Sequence, residues 1–180
     1  MTGVAEAGGS AAAVLVEIGA VYDHVAHAVP SIRELLPCYC GLLGGVVSAG
    51  GINPWGGHLA VIIEYPGGGK IELLEPVRRG APSIGGFLTG SPRGGLHHVT
   101  FKVPDIRLAL DRVLAAGYHP VGTNLEHESW RETFLHPRET GGVLLQLAQA
   151  GPGVPGPLAQ PLGELLEEAA RLRERDQAGS

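Results

Sequence analysis

The sequence predicts an α+β protein built from two tandem βαβββ modules, with one further helix at the C-terminus. Three observations carry this expectation. The chain repeats itself at a constant offset, each copy opens on a strand-type alternation, and glycine-rich turns separate its later apolar runs.

The repeat begins where Tyr22-Asp23-His24-Val25-Ala26-His27-Ala28-Val29 aligns with Leu96-His97-His98-Val99-Thr100-Phe101-Lys102-Val103 (98 − 24 = 74). Ile32-Arg33 then matches Ile106-Arg107, Leu36 matches Leu110 and Val47 matches Val121. Towards the module ends Gly67-Gly68 matches Gly141-Gly142, and Ile71-Glu72-Leu73 matches Leu145-Gln146-Leu147 (146 − 72 = 74). Matches that stay in register over this length mark a duplication without a gap.

The first module is expected over 20–76. Residues 20–29 alternate as a strand, with His24, Ala26 and Ala28 on one side. Pro30-Ser31 opens a helix over 31–41, ended by the glycines at 41–45, and a strand follows near 45–49. A hairpin of 58–65 and 70–75 turns across Pro66-Gly67-Gly68-Gly69. Residues 77–95 read as a linker. The second module, 96–150, has a strand at 96–103, a helix at 105–116 and strands near 119–122, 132–136 and 143–148. Beyond it, 151–180 comprises a Pro/Gly linker and an amphipathic helix over 161–176, with Leu162, Leu165, Leu166, Ala169 and Leu172 on one face. Residues 1–19 are expected as a flexible arm: the Ala11–Val16 run has no basic segment before it and is flanked by Glu6 and Glu17, unlike a signal peptide.

Composition excludes some classes of function. A formal charge of −5 and a pI near 5.9 leave no basic face for nucleic acid. No run approaches the roughly 18 apolar residues that span a bilayer, so neither nucleic acid nor membrane is expected as a partner. Cys38 and Cys40 lack the spacing of a redox or zinc motif and read as apolar core thiols of a cytoplasmic protein. Gly67-Gly68-Gly69-Lys70-Ile71 lacks the spaced first glycine and following Ser/Thr of a phosphate loop, so it is a hairpin turn.

Symmetry places His24 with His98 on the first strands, and Glu72 with Gln146 on the last. If the two sheets pair into one curved cup, the four converge on its inner wall. Two imidazoles, a carboxylate and an amide oxygen suit a divalent metal ion such as Zn, Ni, Co, Mn or Fe, with open positions for substrate oxygens.

These segments carry a resemblance. Asp23-His24-Val25, Lys70-Ile71-Glu72-Leu73-Leu74-Glu75-Pro76, Gly95-Leu96-His97-His98-Val99, Phe134-Leu135-His136-Pro137 and Gly141-Gly142-Val143-Leu144-Leu145 are similar to the vicinal oxygen chelate (VOC) superfamily, glyoxalase I-like, and most like its methylmalonyl-CoA epimerases. The resemblance spans about residues 20–149. It implies the glyoxalase/VOC fold, the ligand set His24, Glu72, His98 and Gln146, and a small-molecule substrate such as an acyl-CoA or another enolisable carbonyl compound. It also implies a homodimer.

Two positions depart from the family. Gln146 stands where epimerases and glyoxalases of this type carry a glutamate, and Trp55-Gly56-Gly57-His58 occupies the stretch where the epimerases carry another. An amide accepts no proton at neutral pH. His58 and Glu132 are available as replacement bases, related by the same offset (132 − 58 = 74) on the third strands. Glu126, His127 and Glu128 lie on the preceding loop, Trp130 and Arg131 can line a pocket, and His27, His97, His119 and His136 read as structural, with His27 and His97 on the opposite sheet face. The expected function is proton movement next to a metal-polarised carbonyl, as in an isomerase, an epimerase or a glyoxalase-type lyase. The alternatives are a non-catalytic binding protein of resistance type and a metal-dependent dioxygenase.

Overall fold

A computed structural model describes residues 14–78 and 84–178. The first part of the expected arm, residues 1–13, lies outside the described residues. The first module runs β1 (Val21–Ala28), α2 (Ile32–Leu36), β2 (Val46–Asn53), β3 (His58–Glu64) and β4 (Lys70–Pro76). The second runs β5 (Gly95–Lys102), α4 (Ile106–Ala115), β6 (Pro120–Asn124), β7 (Trp130–Leu135) and β8 (Leu144–Ala150). Short helices α1 (Val14–Glu17) and α3 (Ile84–Gly90) precede each module, and α5 (Leu162–Ala178) closes the chain. This is the expected α+β fold with its C-terminal helix. No helix among the described residues is long and apolar enough to cross a membrane.

Contacts divide the chain into two compact units. One comprises 24–98 with 155–178, and its strands pair in the order β2-β3-β4-β1. Strand parity sorts its faces. Leu59, Val61, Ile63 and Leu73 point to a core completed by Val29, Ile32 and the Leu165, Leu166 and Ala169 stripe of α5. Arg173 of α5 reaches Glu75 at 2.5 Å and the Pro30 carbonyl at 3.2 Å. Glu75 in turn accepts the Ile32 N–H at 2.5 Å, satisfying a donor at the start of α2. The opposite parity, Ala26, Ala28 and Leu74, faces Ile84 of α3. His24 and Glu72 share that side.

The other unit comprises 14–23 with 99–154, ordered β5-β8-β7-β6. Asp105 caps α4 by accepting the N–H groups of Arg107 and Leu108 at 2.9 and 3.2 Å. Ile106, Ala109 and Val113 of α4 pack on Val103, Leu135 and Leu147.

The structure corrects several expectations. Residues 14–19 are not a free arm: Val14–Glu17 is helical and Ile18 is buried among Val103, Ile106 and Ala109. The linker contains α3, because Ile84, Phe87 and Leu88 recur at helical spacing and pack on the small Ala26 and Ala28. That burial outweighs the poor helix propensity of Gly85-Gly86. The first helix changes character at Pro37, which has no N–H to continue the ladder. Pro37–Leu42 is π-helical, with Leu43 N–H reaching back to the Cys38 carbonyl at 3.0 Å. Cys38 is exposed and Cys40 half-buried, so Cys38 is no core thiol. The second strand continues through Gly50-Gly51, where a Cβ on Gly50 would stand 2.7 Å from the Ala60 carbonyl.

The duplication also slips. His58 pairs with Pro76 in β3–β4, and Trp130 pairs with Ala150 in β7–β8. The last strands keep the offset of 74 (150 − 76), whereas the third strands differ by 72 (130 − 58). The register counterpart of His58 is therefore Trp130, not Glu132. Because the slip is even, the side chains keep their faces.

Candidate metal centre

In the parallel β1–β4 ladder Ala26 lies beside Glu72, so His24 is one pleat away on the same face. Ala26 has only a methyl group to contest the space, and the Glu72 carboxylate turns to the imidazoles. Glu72 Oε2 is 3.4 Å from His24 Nε2 and 3.7 Å from His98 Nε2. The two rings meet edge to face with centroids 5.9 Å apart. One donor atom from each residue lies within 4.8 Å of the others.

Burial pushes the His98 imidazole down to about 4, against the pull of the Glu72 carboxylate. Burial alone would raise the Glu72 carboxyl, but the hydrogen bond from His24 and the charges of His24 and His98 hold it below the usual range. At neutral pH the cluster thus offers a carboxylate and a neutral imidazole at one point. That donor set fits a first-row divalent ion, which requires deprotonated ligands.

The second module arranges its equivalents differently. Gln146 is buried. Its Oε1 accepts the Thr100 hydroxyl at 2.6 Å and its Nε2 donates to Glu132 Oε2 at 2.6 Å. The same carboxylate oxygen accepts the Trp130 indole N–H at 2.9 Å. The slip of β7 brings Glu132 diagonally next to Gln146: Phe134 pairs with Gln146, and Glu132 with Ala148. In the first module His58 stands on the face of Glu72, since Ile62 pairs with Glu72 and His58 with Pro76. Four residues of strand separate them, about 13 Å. The His58 Nδ1 is buried and makes no hydrogen bond. A Cβ on Gly56 would stand 2.4 to 2.5 Å from the His58 ring, so the ring keeps this position only beside glycine and would have to turn for any side chain.

Residues 23–134 match the family described as the Glyoxalase/Bleomycin resistance protein/Dioxygenase superfamily. The chain belongs to that superfamily. The ethylmalonyl-CoA/methylmalonyl-CoA epimerase of Cereibacter sphaeroides is 38% identical over 130 residues, covering 71% of this chain and 96% of the relative. The mitochondrial methylmalonyl-CoA epimerase of Homo sapiens is 34% identical, over 71% of this chain and 73% of that one. The crystal structure of methylmalonyl-CoA epimerase from Mycobacterium tuberculosis matches with a TM-score of 0.65 at 26% identity, covering 74% of this chain and 89% of that chain. Within the superfamily the chain is methylmalonyl-CoA epimerase-like.

Of the residues expected as ligands, the structure brings His24, Glu72 and His98 together. The sequence alone does not single out Thr100, although it is the polar residue that replaces Ala26 in the repeat, nor Phe87, because Gly85-Gly86 reads as a turn within a linker. His97 does not simply face away. Its Nδ1 lies 2.8 Å from His98 Nδ1. His27 does take the opposite face, with its Nδ1 2.5 Å from the Tyr39 hydroxyl. His119 pairs with Glu139 at 2.7 Å, and His136 Nδ1 accepts the Arg138 N–H in its turn. Arg131 donates to the Leu125 carbonyl.

Proposed function

We propose that the chain is a metal-dependent epimerase of methylmalonyl-CoA type, moving the proton beside the thioester carbonyl of a small acyl-CoA. The observation that carries this reading is the convergence of His24, Glu72 and His98. The names of the relatives from Cereibacter sphaeroides and Homo sapiens support the substrate class. His24, Glu72 and His98 would hold the ion, with Gln146 as a fourth ligand by its place in the repeat. When bound, a divalent ion supplies Lewis acidity that stabilises negative charge developing on the carbonyl oxygen.

Glu132 and His58 are the proposed bases. Glu132 Oε2 takes the N–H groups of Trp130 and Gln146, which fixes the carboxylate and leaves Oε1 to accept the proton. Removing that proton sends the C–H electron pair towards the carbonyl oxygen. Returning a proton to the other face of the carbon inverts it, with no net loss of atoms or electrons. His58, on the face of Glu72, is the proposed group for the other side. The proposal includes a homodimer, resting on the resemblance, and a cytoplasmic setting, resting on the free thiols Cys38 and Cys40.

The test is deuterium incorporation from D₂O into methylmalonyl-CoA and ethylmalonyl-CoA. Metal-loaded wild type should exchange the proton beside the carbonyl, and His98→Ala should not. Equal exchange by His98→Ala, or none by the loaded wild type, overturns the reading.

A second reading, a binding protein without turnover, is favoured by Gln146. Its amide oxygen accepts Thr100 and its nitrogen donates to Glu132, so neither atom takes a proton. Tight ligand binding by the loaded wild type with no exchange would select it.

A further inference from the structure

Consecutive strand residues point to opposite faces, yet the rings of His97 and His98 turn back towards each other. Their centroids are 5.1 Å apart at an interplanar angle of 78°, with the two Nδ1 atoms 2.8 Å apart. The other flank of His97 packs edge to face on Phe87 of α3, centroids 5.1 Å apart. An N···N approach of this length needs one proton, given by one ring and accepted by the other.

The two assignments have opposite consequences. If His97 gave the proton, His98 would carry its own on Nε2, and that nitrogen could not ligate. If His98 gives it, its Nε2 bears a lone pair directed at the cluster. The distances around Glu72 separate the two. His24 Nε2, at 3.4 Å, is the hydrogen-bonding partner of the carboxylate. His98 Nε2 stands at 3.7 Å from the same oxygen, beyond the range of an N–H···O bond. A lone pair held beside a carboxylate is unfavourable by itself and favourable around a cation.

We propose that His97 is a positioning residue: it accepts the Nδ1–H of His98 and so holds the Nε2 lone pair of His98 towards the space shared with His24 and Glu72. Phe87 holds His97 in place through the ring contact, which gives α3 a role at the site. The inference rests on the reading that these three residues bind a divalent metal. Partners of this kind set the tautomer and orientation of ligating histidines, and losing them typically costs 10- to 100-fold in metal affinity.

The test uses the full chain with His97→Phe, which keeps an aromatic ring against Phe87 but accepts no proton, and His97→Gln, which retains an acceptor. Zn²⁺ affinity is measured by chelator competition, and the His98 tautomer by long-range ¹H–¹⁵N NMR on metal-free protein. Expected are an Nδ1–H tautomer on His98 in wild type, a loss of about 10- to 100-fold in Zn²⁺ affinity in His97→Phe, and recovery of most of it in His97→Gln. Zn²⁺ binding by wild type and His97→Phe with equal affinity overturns the role of His97 and leaves the metal centre standing. An Nε2–H tautomer on His98 in wild-type protein overturns it without needing either variant to fold. Absence of Zn²⁺ uptake by wild type, with the Nδ1–H tautomer present, overturns the metal centre instead.

Discussion

Gln146 donates its amide N–H to Glu132 across 2.6 Å, and this bond fixes which end of the amide is the oxygen. With Nε2 committed to a carboxylate, Oε1 takes the Thr100 hydroxyl. The first module has no such arrangement, since Ala26 stands where the repeat places Thr100 and Glu72 turns to histidines. One duplicated position thus carries a carboxylate in a histidine cluster and an amide in a hydroxyl–carboxylate clamp. The carboxylate absent at 146 is present one diagonal step away, at 132.

Substitutions at Glu132 separate its holding role from a catalytic one. Glu132→Leu removes the acceptor for both Gln146 and Trp130 and should cost about 2–3 kcal/mol, since a buried amide and a half-buried indole lose a charged partner. Glu132→Gln keeps an acceptor oxygen and should cost about 1 kcal/mol. If Glu132 is also a base, Glu132→Gln should still lose exchange activity. Denaturant unfolding and the deuterium assay, run on both variants, check this.

The slip that brings Glu132 to Gln146 explains how much of the site was legible. The first- and last-strand residues keep the offset of the repeat, so His24, Glu72 and His98 could be paired with one another by counting. The third strands do not keep it, because the β7–β8 register is displaced by an even number of residues. An even displacement leaves the apolar alternation unchanged, so nothing in the pattern reveals it. The helix α3 was hidden for another reason. Its Gly85-Gly86 pair reads as a turn, and only the small Ala26 and Ala28 beneath Ile84 make a helix worth forming there.

Metal should stabilise the fold as well as serve the chemistry. At free ion 100 times its dissociation constant, binding contributes about 2.7 kcal/mol. For a chain of this size that is a rise of about 5–10 °C in the unfolding midpoint. Wild type should show this rise with Zn²⁺ or Co²⁺ and lose it with chelator. His24→Ala and His98→Ala should not respond. Thermal scans beside elemental analysis settle the comparison.

The Arg173–Glu75 pair should give the unit formed by 24–98 and 155–178 a distinctive pH response. Burial raises the Glu75 carboxyl above its ordinary 4.5, although the Ile32 N–H and Arg173 oppose the shift. A carboxyl raised in the folded state stabilises below the unfolded value, and that contribution fades as pH climbs through the folded one. Arg173→Ala should raise it further. The variant should therefore lose about 2–3 kcal/mol near pH 7, less than a fully buried pair because Arg173 is partly exposed. The deficit should shrink towards pH 4. Urea unfolding at both values checks it, and an equal deficit at both would show that Glu75 ionisation is not its source.

Gly56 offers a way to move His58 without replacing it. A Cβ at this position would meet the imidazole at 2.4 to 2.5 Å, whereas its next neighbour, Asn53, is 3.4 Å away. The imidazole is the mobile end of a side chain, so Gly56→Ala should rotate the ring and cost about 1 kcal/mol or less. If His58 supplies one of the two protons of the epimerisation, Gly56→Ala should slow inversion of the substrate with little change in melting temperature. Exchange on the Glu132 side should persist in that variant, so deuterium would enter without inversion. Measuring both on one sample tests His58 directly: inversion and exchange falling together would mean that the ring does not act on a separate face.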